Sequence, residues 1–92
     1  TTESLEALRR KIDEIDNALI EQLAKRMRVS REIGKYKREH NMTVVQTGRY
    51  NEILDKRGAQ GVLCGMSSDF MKCIFEAIHE ESVRQQIDIL NK

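Results

Sequence analysis

Five polar side chains stand where helical spacing calls for apolar ones. Leu5, Leu8, Ile12, Ile15, Leu19 and Leu23 recur in steps of three and four, which puts them on one face of a helix. Extending that stripe at 100° per residue brings Arg26, Ser30, Ile33 and Lys37 into it. A later stripe of Met71, Phe75, Ile78 and Ile89 contains Ser82 and Gln86, one turn apart. A cation turned toward packed surface is costly unless something negative meets it. No carboxylate on the first helix lies at the centre of its stripe, and Asp16 at the edge is the nearest. The partner must come from another segment, another chain or a bound anion.

The spacing says what such a set can hold. Arg26 and Lys37 are nearly in line and ~16 Å apart along a helix axis, close enough for two long side chains to touch one small anion. Arg9 is ~42 Å from Lys37 on the same helix, so it can serve such a pocket only from an antiparallel partner chain. Gln46, Arg49, Tyr50 and Ile53 share a face of a second, short helix. There is no Ser-His-Asp set, no phosphate loop and no metal-ligand spacing. His79, beside the third stripe, reads as a packed or hydrogen-bonded histidine. Tyr36 and Tyr50 read as packing or interface residues. Arg28, Arg31, Lys35 and Arg38 form a basic row on the other side of helix one and read as a solvated face.

The elements that must position these groups follow from composition. Ninety-two residues make one domain, here 1–92, and 34% charged with 4% aromatic residues and no proline specifies an all-α chain. A formal charge of +1 argues against a nucleic-acid binder. Two cysteines, Cys64 and Cys73, are too few for a disulfide framework and fit reduced thiols in a cytoplasmic protein. No signal peptide or membrane-spanning run is visible. The opening Thr1-Thr2, without Met, suggests a processed chain or a piece of a longer polypeptide.

Three helices are expected. The first runs over about 4–40, capped by Thr2 or Ser4 and stopped near Asn41. The second runs over about 47–58 after a short extended piece at Val44-Val45. The third runs over about 67–90, capped by Ser67 or Ser68. Gly58, Gly61 and Gly65 read as a loose linker. An unbroken first helix would be ~55 Å long, against ~30–35 Å for a compact monomer of this size. It is therefore expected to extend past its own chain onto a second copy.

Four separated runs carry a family resemblance. LRRKIDEID at 8–16, KRMRVSREIGKYK at 25–37, VVQTGRYNEIL at 44–54 and EESVRQQ at 80–86 resemble the all-helical (AroQ) class of chorismate mutases. The resemblance implies three-helix chains intertwined as a homodimer. It implies the conversion of chorismate to prephenate, the branch step of the shikimate pathway toward phenylalanine and tyrosine, with no cofactor and no metal. It assigns Arg9, lent across the dimer, and Arg26 to the two substrate carboxylates. Lys37 and Gln86 fall to the ether oxygen of the breaking bond. Arg49 lines the pocket, Ser82 contacts a carboxylate, and Gln46 stands where an acidic residue often meets the ring hydroxyl. Tyr50 departs from the pattern, since the best-known members carry a glutamate there that accepts that hydroxyl. Weaker hydroxyl recognition is the expectation.

A pericyclic [3,3] rearrangement needs no nucleophile and no proton transfer, which agrees with the missing constellations. Two other functions fit the same residues. One is an isochorismate pyruvate-lyase, which shares the fold and the carboxylate clamps. The other is a weakly active regulatory or interaction domain fused to DAHP synthase, prephenate dehydratase or prephenate dehydrogenase. A bare coiled-coil module leaves the polar set unexplained.

Overall fold

The computed structural model describes residues 3–92 and contains three helices: α1 (Leu5–Glu39), α2 (Thr47–Leu63) and α3 (Ser68–Leu90). Among the described residues there is no strand, and Val44 and Val45 lie in an irregular connection rather than an extended pair. Thr2, one of the two expected caps, falls outside the described residues. Ser4 does cap α1, its hydroxyl accepting from the Ala7 amide at 3.1 Å, and Ser67 caps α3 through the Phe70 amide at 3.1 Å.

Both inner turns close by the same device. After α1, Asn41 takes a left-handed φ of 54°. The Met42 amide returns to the Lys37 carbonyl at 2.8 Å and the Asn41 amide to that of Arg38 at 3.4 Å. After α2, Gly65 takes φ 87°. The Met66 amide bonds the Gly61 carbonyl at 2.9 Å and the Gly65 amide that of Val62 at 3.1 Å. This paired return satisfies carbonyls that a helix end leaves open.

The glycine-marked linker is the main correction to the sequence reading. Gly58 and Gly61 are inside α2 and buried, and only Gly65 stops the helix. A Cβ on Gly61 would come within 2.0 Å of Met71 Cγ. Gly61 is there because α2 and α3 approach too closely for a side chain, not because the chain bends. Gly34 serves the same end between α1 and α3, where an added Cβ would meet Gln86 Cα at 3.2 Å.

α3 is the central element, packing on both α1 and α2, whose backbones do not approach each other closely. The basic row is also corrected in part. Arg31 donates to Gln85 Oε1 at 2.9 Å and Arg38 to the Ile89 carbonyl at 2.9 Å. Two of its four cations therefore tie α1 to α3.

The chain is long and thin, 59 × 27 × 14 Å, with a radius of gyration of 16.8 Å, against about 12 Å for a compact domain of this length. Its surface is 7156 Å², where a folded monomer of this mass exposes about 5,500 Å². The excess lies largely on the first half of α1. Leu5, Ile12, Ile15, Leu19 and Ile20 are each more than half exposed. Ile89 is the one buried hydrophobic side chain among the described residues, and the others buried with it are polar: Ser30, Ser82 and Gln86. No helix among the described residues is long and apolar enough to cross a membrane.

Candidate active site

The gap between α1 and α2, floored by α3, is a cavity of about 400 Å³, in the range of small-molecule sites. Arg26, Ser30 and Lys37 enter it from α1. Gln46, Arg49 and Tyr50 enter from the start of α2, and His79, Ser82 and Gln86 from α3. Every residue singled out for the site lines this cavity except Arg9. Arg9 lies on the exposed first half of α1, far along the helix from Lys37.

The cations of the stripe find polar neighbours rather than carboxylates. Arg26 donates to Ser82 Oγ at 2.9 Å. The Ser30 hydroxyl donates to the same oxygen at 3.0 Å. Ser82 passes its own proton toward Met27 Sδ at 3.7 Å. The chain of hydroxyls therefore runs one way and holds the guanidinium by its acceptor end. Lys37 donates to the Val44 carbonyl at 2.6 Å and to Gln86 Oε1 at 3.1 Å. Its ammonium has three hydrogens, so one is left over. The Val44 contact also pins the α1–α2 connection across the end of the cavity.

No aspartate or glutamate lines the cavity. Burial lowers the Arg26 pKa, and the nearby charges of Arg57 and Arg49 lower it further. Burial lowers that of Lys37. No carboxylate in the lining offsets either cost, and an anion placed between the two cations would. Arg49 is the freest of the three, held only by an exposed pair with Glu52 at 3.5 Å.

Two aromatic rings complete the wall. Tyr50 stacks on His79, centroids 4.0 Å apart at 30°. The sequence reading of His79 as a packed histidine holds as far as the stack, but the ring also faces the cavity. The signal was available, because His79 precedes Ser82 by three residues and Gln86 by seven, on one face of α3. Tyr36 takes no part in the cavity and stacks on His40 at 4.0 Å.

The fold and the site together define a three-helix domain with a cavity lined by three cations and no carboxylate. Comparison with known proteins places it more closely. A family model described as chorismate mutase type II matches residues 8–87, and the chain belongs to that family. It is 30% identical over 80 residues to a T-protein of Haemophilus influenzae, covering 87% of this chain and 21% of that protein. It is 28% identical over 83 residues to a 4-amino-4-deoxychorismate mutase of Streptomyces pristinaespiralis, covering 90% of this chain and 64% of the relative. The Streptomyces venezuelae protein of the same name is 23% identical over 88 residues, covering 96% of this chain and 85% of the relative. The chain thus spans about a fifth of the T-protein and under two thirds of the first of these mutases.

Proposed function

We propose that the chain rearranges chorismate to prephenate in a pocket completed by a second copy of itself. The observation that carries this reading is the convergence of Arg26, Lys37, Ser82 and Gln86 on one carboxylate-free cavity. Arg26 holds one substrate carboxylate, steadied by Ser82, and Arg9 of the second copy holds the other. A planar guanidinium matches a carboxylate with two parallel bonds. The two clamps keep the enolpyruvyl arm folded over the ring, which removes much of the entropic part of the barrier. Arg49 adds positive charge at the rim, and Gln46 and Tyr50 stand at the ring.

The C–O bond breaks ahead of C–C bond formation, so negative charge grows on the ether oxygen. Lys37 and Gln86 aim donors at that oxygen. Their bonds strengthen as the charge develops, which is what lowers a barrier rather than merely tightening binding.

The second copy is supported by the protomer's surface. An excess of over ~1,000 Å² above a compact monomer is comparable to one partner's share of a large, obligate interface. The leucine and isoleucine face of α1 is where that excess lies. The small fraction of the T-protein that the chain covers supports reading 1–92 as a mutase domain able to work within a larger shikimate-pathway enzyme, such as a DAHP synthase fusion.

The test is to supply chorismate and isochorismate separately to the purified protein. Prephenate from the first, with chorismate absorbance lost, is the expected result. Salicylate and pyruvate from the second, with chorismate untouched, would make the protein a lyase. No turnover of either would leave a regulatory domain.

A further inference from the structure

The cavity assigns its polar groups unevenly. Arg26, Lys37 and Arg49 are positive and will draw a dianion's carboxylates. Ser30 and Ser82 are already bonded to each other, and the Gln86 oxygen is taken by Lys37. Gln46 is exposed at the start of α2. Tyr50 and His79 remain, half-buried, with no hydrogen-bond partner for the phenol or the imidazole among the described residues. His79 lies ~10 Å from Gln86 along α3, so the two mark opposite ends of a site one small molecule long.

Resting on the reading that this pocket takes a chorismate-like dianion, we propose that His79, braced by Tyr50, is a specificity-determining residue that reads the ring substituent. The pair selects a neutral hydroxyl over an ammonium. The reading of Tyr50 alone led to weak hydroxyl recognition, and the structure adds a second polar ring beside it.

The chemistry follows from the state of each ring. Burial and the charge of Arg26 lower the His79 pKa, Lys37 adds to this and Glu80 opposes it. Its imidazole is then neutral at pH 7, with one nitrogen donating and the other accepting. Burial raises the Tyr50 pKa, helped by Glu76 and Glu80, so it stays a phenol. An alcohol both donates and accepts, and the pair can answer both. An ammonium only donates. It would also bring a charge into a cavity lined by three cations, and Glu76 and Glu80 lie outside that lining. The 4-amino-4-deoxychorismate in the names of the Streptomyces relatives differs from chorismate at this one substituent.

The test compares kcat/KM for chorismate and for 4-amino-4-deoxychorismate in the wild type, His79→Phe, Tyr50→Phe and His79→Gln. Phe keeps the stack and removes the ring nitrogens, and Gln restores a donor and an acceptor. The wild type is expected to favour chorismate by about tenfold or more, the scale of one buried hydrogen bond. His79→Phe should shrink that ratio severalfold with the carboxylate-bearing product still bound normally, and His79→Gln should recover most of it. If His79→Phe does not fold, Tyr50→Phe removes the other half of the pair and should shrink the ratio too. An unchanged ratio in the folded Phe variants, or a wild-type preference for the amino substrate, overturns this inference alone. Turnover of neither substrate by the wild type overturns it together with the proposed function.

Discussion

Lys37 donates to Gln86 Oε1 at 3.1 Å, and that bond decides which way the Gln86 amide faces. With its oxygen turned to the ammonium, the amide keeps its NH2 group free to donate. Lys37 keeps one hydrogen beyond those given to Gln86 and Val44. Both residues line the same cavity, so under the proposed function two donors are available to it before any ligand arrives. Preorganisation of this kind costs no reorganisation when charge develops. Gln86 does not titrate, so the account requires no acid, and a sharp loss of rate between about pH 6 and 8 would count against its role.

Lys37→Ala should abolish most turnover and leave the helices folded, because Lys37 is only part-buried. Loss of one such donor costs on the order of 3–4 kcal/mol in the barrier, or 10²–10³ in kcat. Steady-state rates on the variant, with its helical circular dichroism as the folding control, check this. A near-normal kcat would refute the role.

The same lysine sets an alkaline limit. Burial holds its pKa below the ordinary lysine value, so the free site loses its ammonium earlier than an exposed lysine would. A bound dianion favours the ammonium and pushes the value back up. The alkaline limb of kcat/KM, which reports the free protein, should therefore fall at lower pH than the limb of kcat, which reports the complex. Rate profiles from pH 7 to 11 at saturating and sub-saturating substrate measure both. Coincident limbs would contradict it.

Gly34→Ala tests the seat of Gln86. The new methyl would sit 3.2 Å from Gln86 Cα and 3.3 Å from its Cγ. α3 must then shift by a few tenths of an ångström, at roughly 1–3 kcal/mol of overpacking. The Lys37–Gln86 pair moves with it. Expected are a lower thermal midpoint and a fall in kcat that exceeds the change in KM, read by thermal melts and steady-state kinetics. A variant as stable and as active as the parent would mean that the close approach does not position the pair.

Much of this was legible in the sequence, and what was not has a physical reason. The polar interruptions Arg26, Lys37, Ser82 and Gln86 were readable because a helix has one period, and a charge in its apolar stripe is a visible conflict. The end of α2 lies beyond Gly58 and Gly61, and a sequence hides this because a glycine looks the same whether it bends a chain or admits a neighbouring helix. Only the partner, Met71 against Gly61, tells the two apart. From sequence alone Arg31 and Arg38 look solvated because their acceptors, Gln85 and the Ile89 carbonyl, are contributed by α3. The face that carries His79 is plain in the sequence, but its stacking partner Tyr50 lies on another element.

Stability should also carry the mark of His79. Its folded pKa is lowered, chiefly by burial and then by Arg26, so below the ordinary value of about 6.5 the unfolded chain binds more protons than the folded one. The contribution is whole above that value and is lost as pH falls through the window beneath it. Urea midpoints at pH 7.5 and 5.5 should differ less for His79→Phe than for the parent. Equal differences would assign the loss to other groups.

In the proposed reaction neither copy completes a site by itself, and mixing two inactive variants tests this most directly. Arg9→Ala and Lys37→Ala should each be nearly dead toward chorismate. Unfolded together in equal amounts and refolded, they should recover about a quarter of wild-type activity, because half the random dimers are mixed and each mixed dimer holds one intact site. Recovery at that level is the predicted result. Mixed dimers that form but regain nothing, or an Arg9→Ala protein as active as the parent, would contradict it.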